Sequence, residues 1–164
     1  MLHVRTRILR AITRLWWLKI YTDSAMVPLP KDAPSIRSGG LDPDRVLVLG
    51  NGAASGWGVL TYGLALSGRL AVALQRRTGR PCDVDHLGDE VMNAGSAPDW
   101  IGRRPLDGYD VVVVVLGMSD AVRHTSVLRW RAELERLVHT LRRGIPADAS
   151  VVVLGIEPVA SACL

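Results

Sequence analysis

The sequence predicts an α/β fold with three layers, α/β/α, built on a parallel, doubly wound sheet. Three observations predict it. Val46 to Leu49 and Val111 to Leu116 are short, uninterrupted apolar runs, the pattern of strands buried on both faces. Each runs straight into a glycine-bearing turn, Gly50-Asn51-Gly52 in one case and Gly117-Met118-Ser119-Asp120 in the other. Helical segments and a third β-branched run, Ser150 to Ile156, complete the order strand, helix, strand, helix, strand. Both turns then fall on one edge of the sheet, where open α/β folds bind ligands.

The chain has 164 residues, enough for one ordinary domain with a sizeable core. With 48% hydrophobic and 22% charged residues it reads as folded rather than disordered. The net charge of +4 is concentrated in residues 1–20, which carry Arg5, Arg7, Arg10, Arg14 and Lys19 and no acid. The remainder is roughly balanced, which argues against a nucleic-acid partner. Cys82 and Cys163 lack metal-like spacing and form no disulfide framework, so a reducing, cytoplasmic setting is expected.

Residues 1–21 are expected to form a basic amphipathic helix. His3, Arg7, Arg10 and Arg14 share one stripe, and Val4, Ile8, Ile12 and Leu15 another. Charges interrupt every apolar run and no small-residue cleavage site follows, so no secretory signal peptide is expected. The segment is also too short and too charged to span a bilayer. One reading is peripheral membrane contact, with Trp16 and Trp17 at headgroup level. The favoured alternative is a helix docked on the domain or on a second copy, since tryptophans at helix ends are common packing residues.

Residues 22–43 hold Pro28, Pro30, Pro34, Pro43 and Ser38-Gly39-Gly40, the composition of a linker with little regular structure. The α/β domain is expected over residues 44–164. Leu60 to Arg77 reads as a helix with Leu64, Leu70, Val72 and Leu74 as apolar positions, stopped by Gly79 and Pro81. Cys82 to Leu87 and Glu90 to Met92 are expected to be extended, with His86 and Asp85 solvated. Asp99 is placed as the cap of a short helix beginning at Trp100, and Asp107-Gly108 marks a turn. A second long helix is expected over Ser126 to Arg143. Its Leu128, Leu134, Leu137, Val138 and Leu141 are assigned inward, its Arg131/Glu135 and Glu135/His139 are helix-spaced neighbours, and Gly144 closes it.

The first turn admits three chemistries. A dinucleotide site needs Gly-x-Gly-x-x-Gly, but Ser55 stands at the third glycine and no acid ends a second strand at suitable spacing. A P-loop is excluded because no Gly-Lys-Ser/Thr closes the turn. The third is carried by Gly50-Asn51-Gly52, Gly56 and Gly58 with Asn93-Ala94-Gly95 and Gly117-Met118-Ser119-Asp120, in that order. These resemble the blocks of the SGNH, or GDSL-type, hydrolases, whose first block is Gly-Asp-Ser-x-x-x-Gly-x-Gly and whose third is Gly-x-Asn-Asp. The resemblance covers about residues 44–158 and implies a flavodoxin-like sheet. It implies a serine-type esterase or lipase acting on a small acyl ester, with no cofactor and no metal.

In that family a serine activated by a histidine–aspartate pair attacks the ester. The serine's own N–H, a second-block glycine and a third-block asparagine hold the oxyanion. Carried over position by position, the nucleophile position holds Gly52 and the aspartate before it is Asn51. The second-block glycine falls at or near Pro98, which has no N–H, and the asparagine position holds Ser119. The late Asp-x-x-His pair has no counterpart, so the domain is expected to be short at its C-terminus. Losing the nucleophile or its base costs on the order of a millionfold in a serine hydrolase, and losing one oxyanion donor roughly a hundred- to a thousandfold.

The catalytic candidates are therefore Ser55, Ser119, Asp120 and His124, and the oxyanion and turn candidates are Asn51, Gly52 and Gly95. Ser55 is a displaced nucleophile or, as favoured, a residue that caps the next helix or simply fits a tight turn. His124 is a base or simply a polar residue near a helix start. Asp120 is expected to accept backbone N–H groups. The expected function is an SGNH-like ester hydrolase domain, weakly active or inactive. The alternative is a non-catalytic binding module or truncated family member, at a membrane surface if residues 1–20 bind one.

Overall fold

The computed structural model describes residues 27–102 and 104–155, with Ile12, Leu15 and Lys19 of the N-terminal segment. Those three are helical and exposed. The rest of the expected N-terminal helix, its tryptophan pair and Cys163 lie outside the described residues. No helix among the described residues is long and apolar enough to cross a membrane.

The strands are β1 (Ser35–Ile36), β2 (Asp44–Gly50), β3 (Cys82–Leu87), β4 (Val111–Val115) and β5 (Ser150–Val153). The helices are α1 (Leu66–Thr78), α2 (Ala97–Ile101), α3 (Met118–Val122) and α4 (Val127–Gly144). The sheet order is β1-β3-β2-β4-β5. β3, β2, β4 and β5 are parallel, in the doubly wound arrangement the apolar runs predict. The sheet as a whole is mixed, because β1 joins antiparallel to β3, pairing Ser35 with Asp85 and Ile36 with Val84. The linker is thus not irregular throughout. It supplies an edge strand, tied down by Arg37 to Asp85 at 2.7 Å and by the Ser38 N–H to Asp83 at 3.0 Å.

The strands divide the core by alternation. Val46, Val48, Val84 and Val113 face α1, together with Cys82 and Ala71. Leu47, Leu49, Val112 and Val114 face the other side, against Leu137 and Leu141 of α4 and Met92, Ile101 and Tyr109. Burial on both faces is what selects continuous apolar strands over alternating ones.

Several element boundaries differ from the expected ones. α1 begins at Leu66 rather than Leu60, because the preceding residues fold back onto the linker. The Tyr62 N–H donates to the Asp32 carboxylate at 3.0 Å and the Gly58 N–H to the Pro28 carbonyl at 2.9 Å. Small residues, Ser67, Gly68 and Ala71, are the buried face of α1, whereas Leu64 and Val72 are exposed. A Cβ at Gly68 would collide with the Gly63 carbonyl, which is how closely the turn lies over the helix. Gly79, at φ 70°, ends α1 as expected, its N–H donating to the Gln75 carbonyl.

Glu90 to Met92 is a turn, not a strand. Asp99 lies in the first turn of α2 rather than at its cap, and Pro98 occupies a first-turn position where a missing N–H costs nothing. In α4, Ser126 is the N-cap and accepts the Arg129 N–H at 3.3 Å. Gly144 is the last helical residue, with Ile145 as cap. Leu137 and Leu141 are fully buried, but Leu128 is 83% exposed and does not face inward. At 100° per residue it lies about half a turn out of phase with Leu137. β5 ends at Val153, short of Ile156.

Candidate functional site

β2 and β4 are neighbours whose onward connections diverge, through α1 on one face and α4 on the other. That is a topological switch point, and the crevice opens beyond the carboxyl ends of the two strands. At Gly50 a Cβ would collide with the Val115 carbonyl of the neighbouring strand. Only glycine, here at φ 150°, fits.

The two glycine-bearing turns meet through Asn51 and Ser119. Asn51 is 4% exposed, its N–H donates to the Val115 carbonyl, and its side-chain amide reaches two acceptors. Nδ2 donates to the Met92 carbonyl at 2.7 Å and to Ser119 Oγ at 2.6 Å. Ser119 in turn donates to the Glu90 carbonyl at 3.3 Å. Asn51 and Ser119 therefore form a network that links three loops.

Gly52 follows at φ 60°, with no heavy atom within 4 Å of where a Cβ would stand. The turn leaves room for a side chain and presents none. Gly95 packs against Glu133 of α4, and its carbonyl accepts from Arg136 at 3.3 Å. Asp120 is buried, and its Oδ2 accepts the Ala94 N–H at 3.1 Å, the backbone role expected of it. Burial pushes the Asp120 carboxyl above the usual carboxylate range, against the lowering effect of that N–H.

His124 stands at φ 54°, uncommon for a residue with a side chain, and its buried Nε2 has no hydrogen-bond partner. It shares a groove of about 720 Å³ with Asp120, Gly95, Arg123, Glu133 and Arg136. Asp120, Gly95 and His124 are thus brought together, yet no hydrogen bond joins Asp120 to His124.

Ser55 is elsewhere. It lines a separate cavity of about 220 Å³ with Tyr62, His86, Asp89 and Glu90. It caps no helix, because α1 starts only at Leu66, but it does sit in a tight turn, the other half of the favoured reading. Its Oγ is buried and unpartnered, a condition that costs about 1–3 kcal/mol. No histidine accepts its proton.

His86 is not solvated but 4% exposed. Its Nε2 lies 3.2 Å from the Gly50 carbonyl and its Nδ1 3.5 Å from the Tyr62 hydroxyl. A carbonyl only accepts, so Nε2 carries the proton and Nδ1 accepts from Tyr62. Burial pushes the imidazole below its usual range, which favours its neutral form, against the raising effect of the Gly50 carbonyl. Asp85, on the opposite face of β3, is engaged too, accepting from Arg37 at 2.7 Å and from the Tyr109 hydroxyl at 2.8 Å. The period-2 pattern of Cys82, Val84 and His86 is the signal that places His86 inside; Cys82 and Val84 share its buried face.

The sequence matches no family model and no curated protein. Solved structures do match. AlinE4, an SGNH-hydrolase family esterase, superposes with a TM-score of 0.63 at 20% identity, over 74% of this chain and 64% of that one. A serine-to-alanine variant of the same esterase gives 0.62 at 21% identity over the same shares. An aspartate-to-alanine variant gives 0.61 at 20%, over 72% of this chain and 61% of that one. The chain spans just over three fifths of the length of these structures. Sheet order, the two turns at the switch point and this likeness agree: the chain has the fold of the SGNH-hydrolase esterases.

Proposed function

We propose that this is an SGNH-type acyl-ester site whose reacting groups have been exchanged, so that it binds small acyl esters and turns them over weakly or not at all. The observation that carries the reading is Gly52. By the resemblance it stands at the nucleophile position; the turn has space for a side chain there and glycine offers no nucleophile. The neighbouring exchanges support it. Asn51 and Ser119 bond to each other and to loop carbonyls, so neither is free to hold an oxyanion. His124 and Asp120 share a groove without forming a base–orienter pair.

The test uses short-chain p-nitrophenyl esters and a non-hydrolysable phosphonate analogue. Hydrolysis by the wild-type chain is expected to stay close to the buffer rate, while the analogue shifts the amide resonances of Gly52, Ser119 and Asp120 in a saturable way. Saturable turnover with covalent labelling of a serine would overturn the loss of chemistry. Absence of any analogue-induced shift would overturn the binding.

A further inference from the structure

We infer that the outward side of α1, together with the turn before it, is a contact surface for a lipid bilayer that carries anionic headgroups.

Charge is the first observation. Residues 45–81 hold Arg45, Arg69, Arg76, Arg77 and Arg80 and no aspartate or glutamate. Arg69, Arg76 and Arg77 belong to α1, are exposed, and form no ion pair among the described residues. Acids that border the segment are already engaged. The Asp32 carboxylate holds the Tyr62 N–H, and Asp42 and Asp44 pair with Arg80. Residues 1–20 hold no acid either, so that segment can add positive charge to this surface but cannot neutralise it.

Exposed apolar side chains accompany that charge. Arg69, Val72, Ala73 and Arg76 follow one another at helical spacing and form one exposed stripe along α1. The turn before α1 lies against the same helix. The Gly68 N–H donates to the Tyr62 carbonyl at 3.1 Å, and a Cβ at Gly68 would collide with Gly63. Val72 stands one helical turn beyond Gly68, so it continues the side on which that turn is laid. The apolar residues left open here are Leu60 at 66% exposure, Leu64 at 52% and Val72 at 45%. Leucine and valine among cations of a single sign suit an interfacial contact, in which apolar groups enter the headgroup boundary and guanidinium groups stay at the phosphates. A nucleic acid would use the arginines but leave the leucines in water. With 13 residues and three arginines, α1 can lie on a bilayer but not cross it.

The full chain is sedimented with vesicles of phosphatidylcholine alone and of phosphatidylcholine and phosphatidylserine in equal amounts, at low and high salt. Saturable binding to the anionic vesicles only, released by salt, is expected. Arg69→Gln, Arg76→Gln and Arg77→Gln together are expected to weaken it on the order of a hundredfold. Leu64→Ser with Val72→Ser is expected to weaken it several-fold. All five side chains are exposed, so both variants are expected to keep the wild-type melting curve. Residues 1–20 are intact in each variant, so unchanged binding by the arginine variant would put the contact on that segment and overturn the proposal. Equal binding to neutral vesicles, or none to anionic ones, would overturn it as well. So would duplex DNA bound as tightly as the anionic vesicles, with the serine variant unaffected. The readout does not involve Gly52, so its failure leaves the ester-site reading untouched.

Discussion

The side chain of Asn51 donates to Ser119 Oγ at 2.6 Å across the switch point of the sheet. That bond joins the turn after β2 to the turn after β4, and the second bond of the same amide, to the Met92 carbonyl, brings in the loop after β3. Asn51→Ala leaves the Met92 carbonyl without this donor in a buried setting, and is expected to cost about 1–3 kcal/mol. Asn51→Asp should be no better, since a carboxylate would face a carbonyl. Urea denaturation of both variants measures this, and unchanged midpoints would show the network to be dispensable.

Gly50 and Gly52 both have positive φ, yet they should respond very differently to alanine. At Gly50 the new Cβ meets the Val115 carbonyl, so Gly50→Ala is expected to prevent stable folding. At Gly52 the Cβ meets nothing, so Gly52→Ala should cost only the left-handed backbone penalty, about 1–2 kcal/mol. Circular dichroism melts of the pair decide it, and equal losses would contradict the packing difference.

Burial sets opposite pH responses for His86 and Asp120. The folded-state pKa of His86 lies below its ordinary 6.5, so as pH falls through 6.5 the unfolded chain takes up the proton first and stability declines. Asp120 lies above its ordinary 3.8, so the stability it contributes is fully present below 3.8 and is lost as pH rises through its folded value. His86→Gln is expected to flatten the stability slope below pH 6.5, and Asp120→Asn to remove the opposing one above 3.8. Denaturation midpoints across that range test both signs.

Leu137 and Leu128 sit on opposite sides of α4. Leu137→Ala should cost about 2–5 kcal/mol through lost contacts and a residual cavity. Leu128→Ala should stay within about 0.5 kcal/mol. A comparable loss at Leu128 would mean that this exposed face is covered in solution.

Much of the fold is legible in the chain because burial on both faces leaves a strong pattern. The runs at Val46 and Val111, the stop at Gly79 and the long helix after Ser126 each follow from a local rule. Where local rules mislead, a distant partner is the reason. Leu60 to Ala65 looks helical, but Asp32 and Pro28 hold that stretch to the linker. The linker looks irregular, but Ser35 and Ile36 find an edge on β3. His86 looks solvated beside Asp85, until strand alternation sends the two to opposite faces.

The sequence by itself determined the layered α/β architecture and the two glycine-bearing turns that meet at one edge. These depend on hydrophobic periodicity and on residue identity, which are properties of short stretches. Only the tertiary structure decided that Asn51 and Ser119 spend their polar groups on each other, that Asp120 holds the Ala94 N–H, and that Ser55 opens onto a separate cavity with His86. Each of those facts depends on which carbonyl or side chain lies within about 3 Å of a polar atom. Residues far apart in the chain supply those partners, and the packing of the sheet and its loops alone brings them within reach.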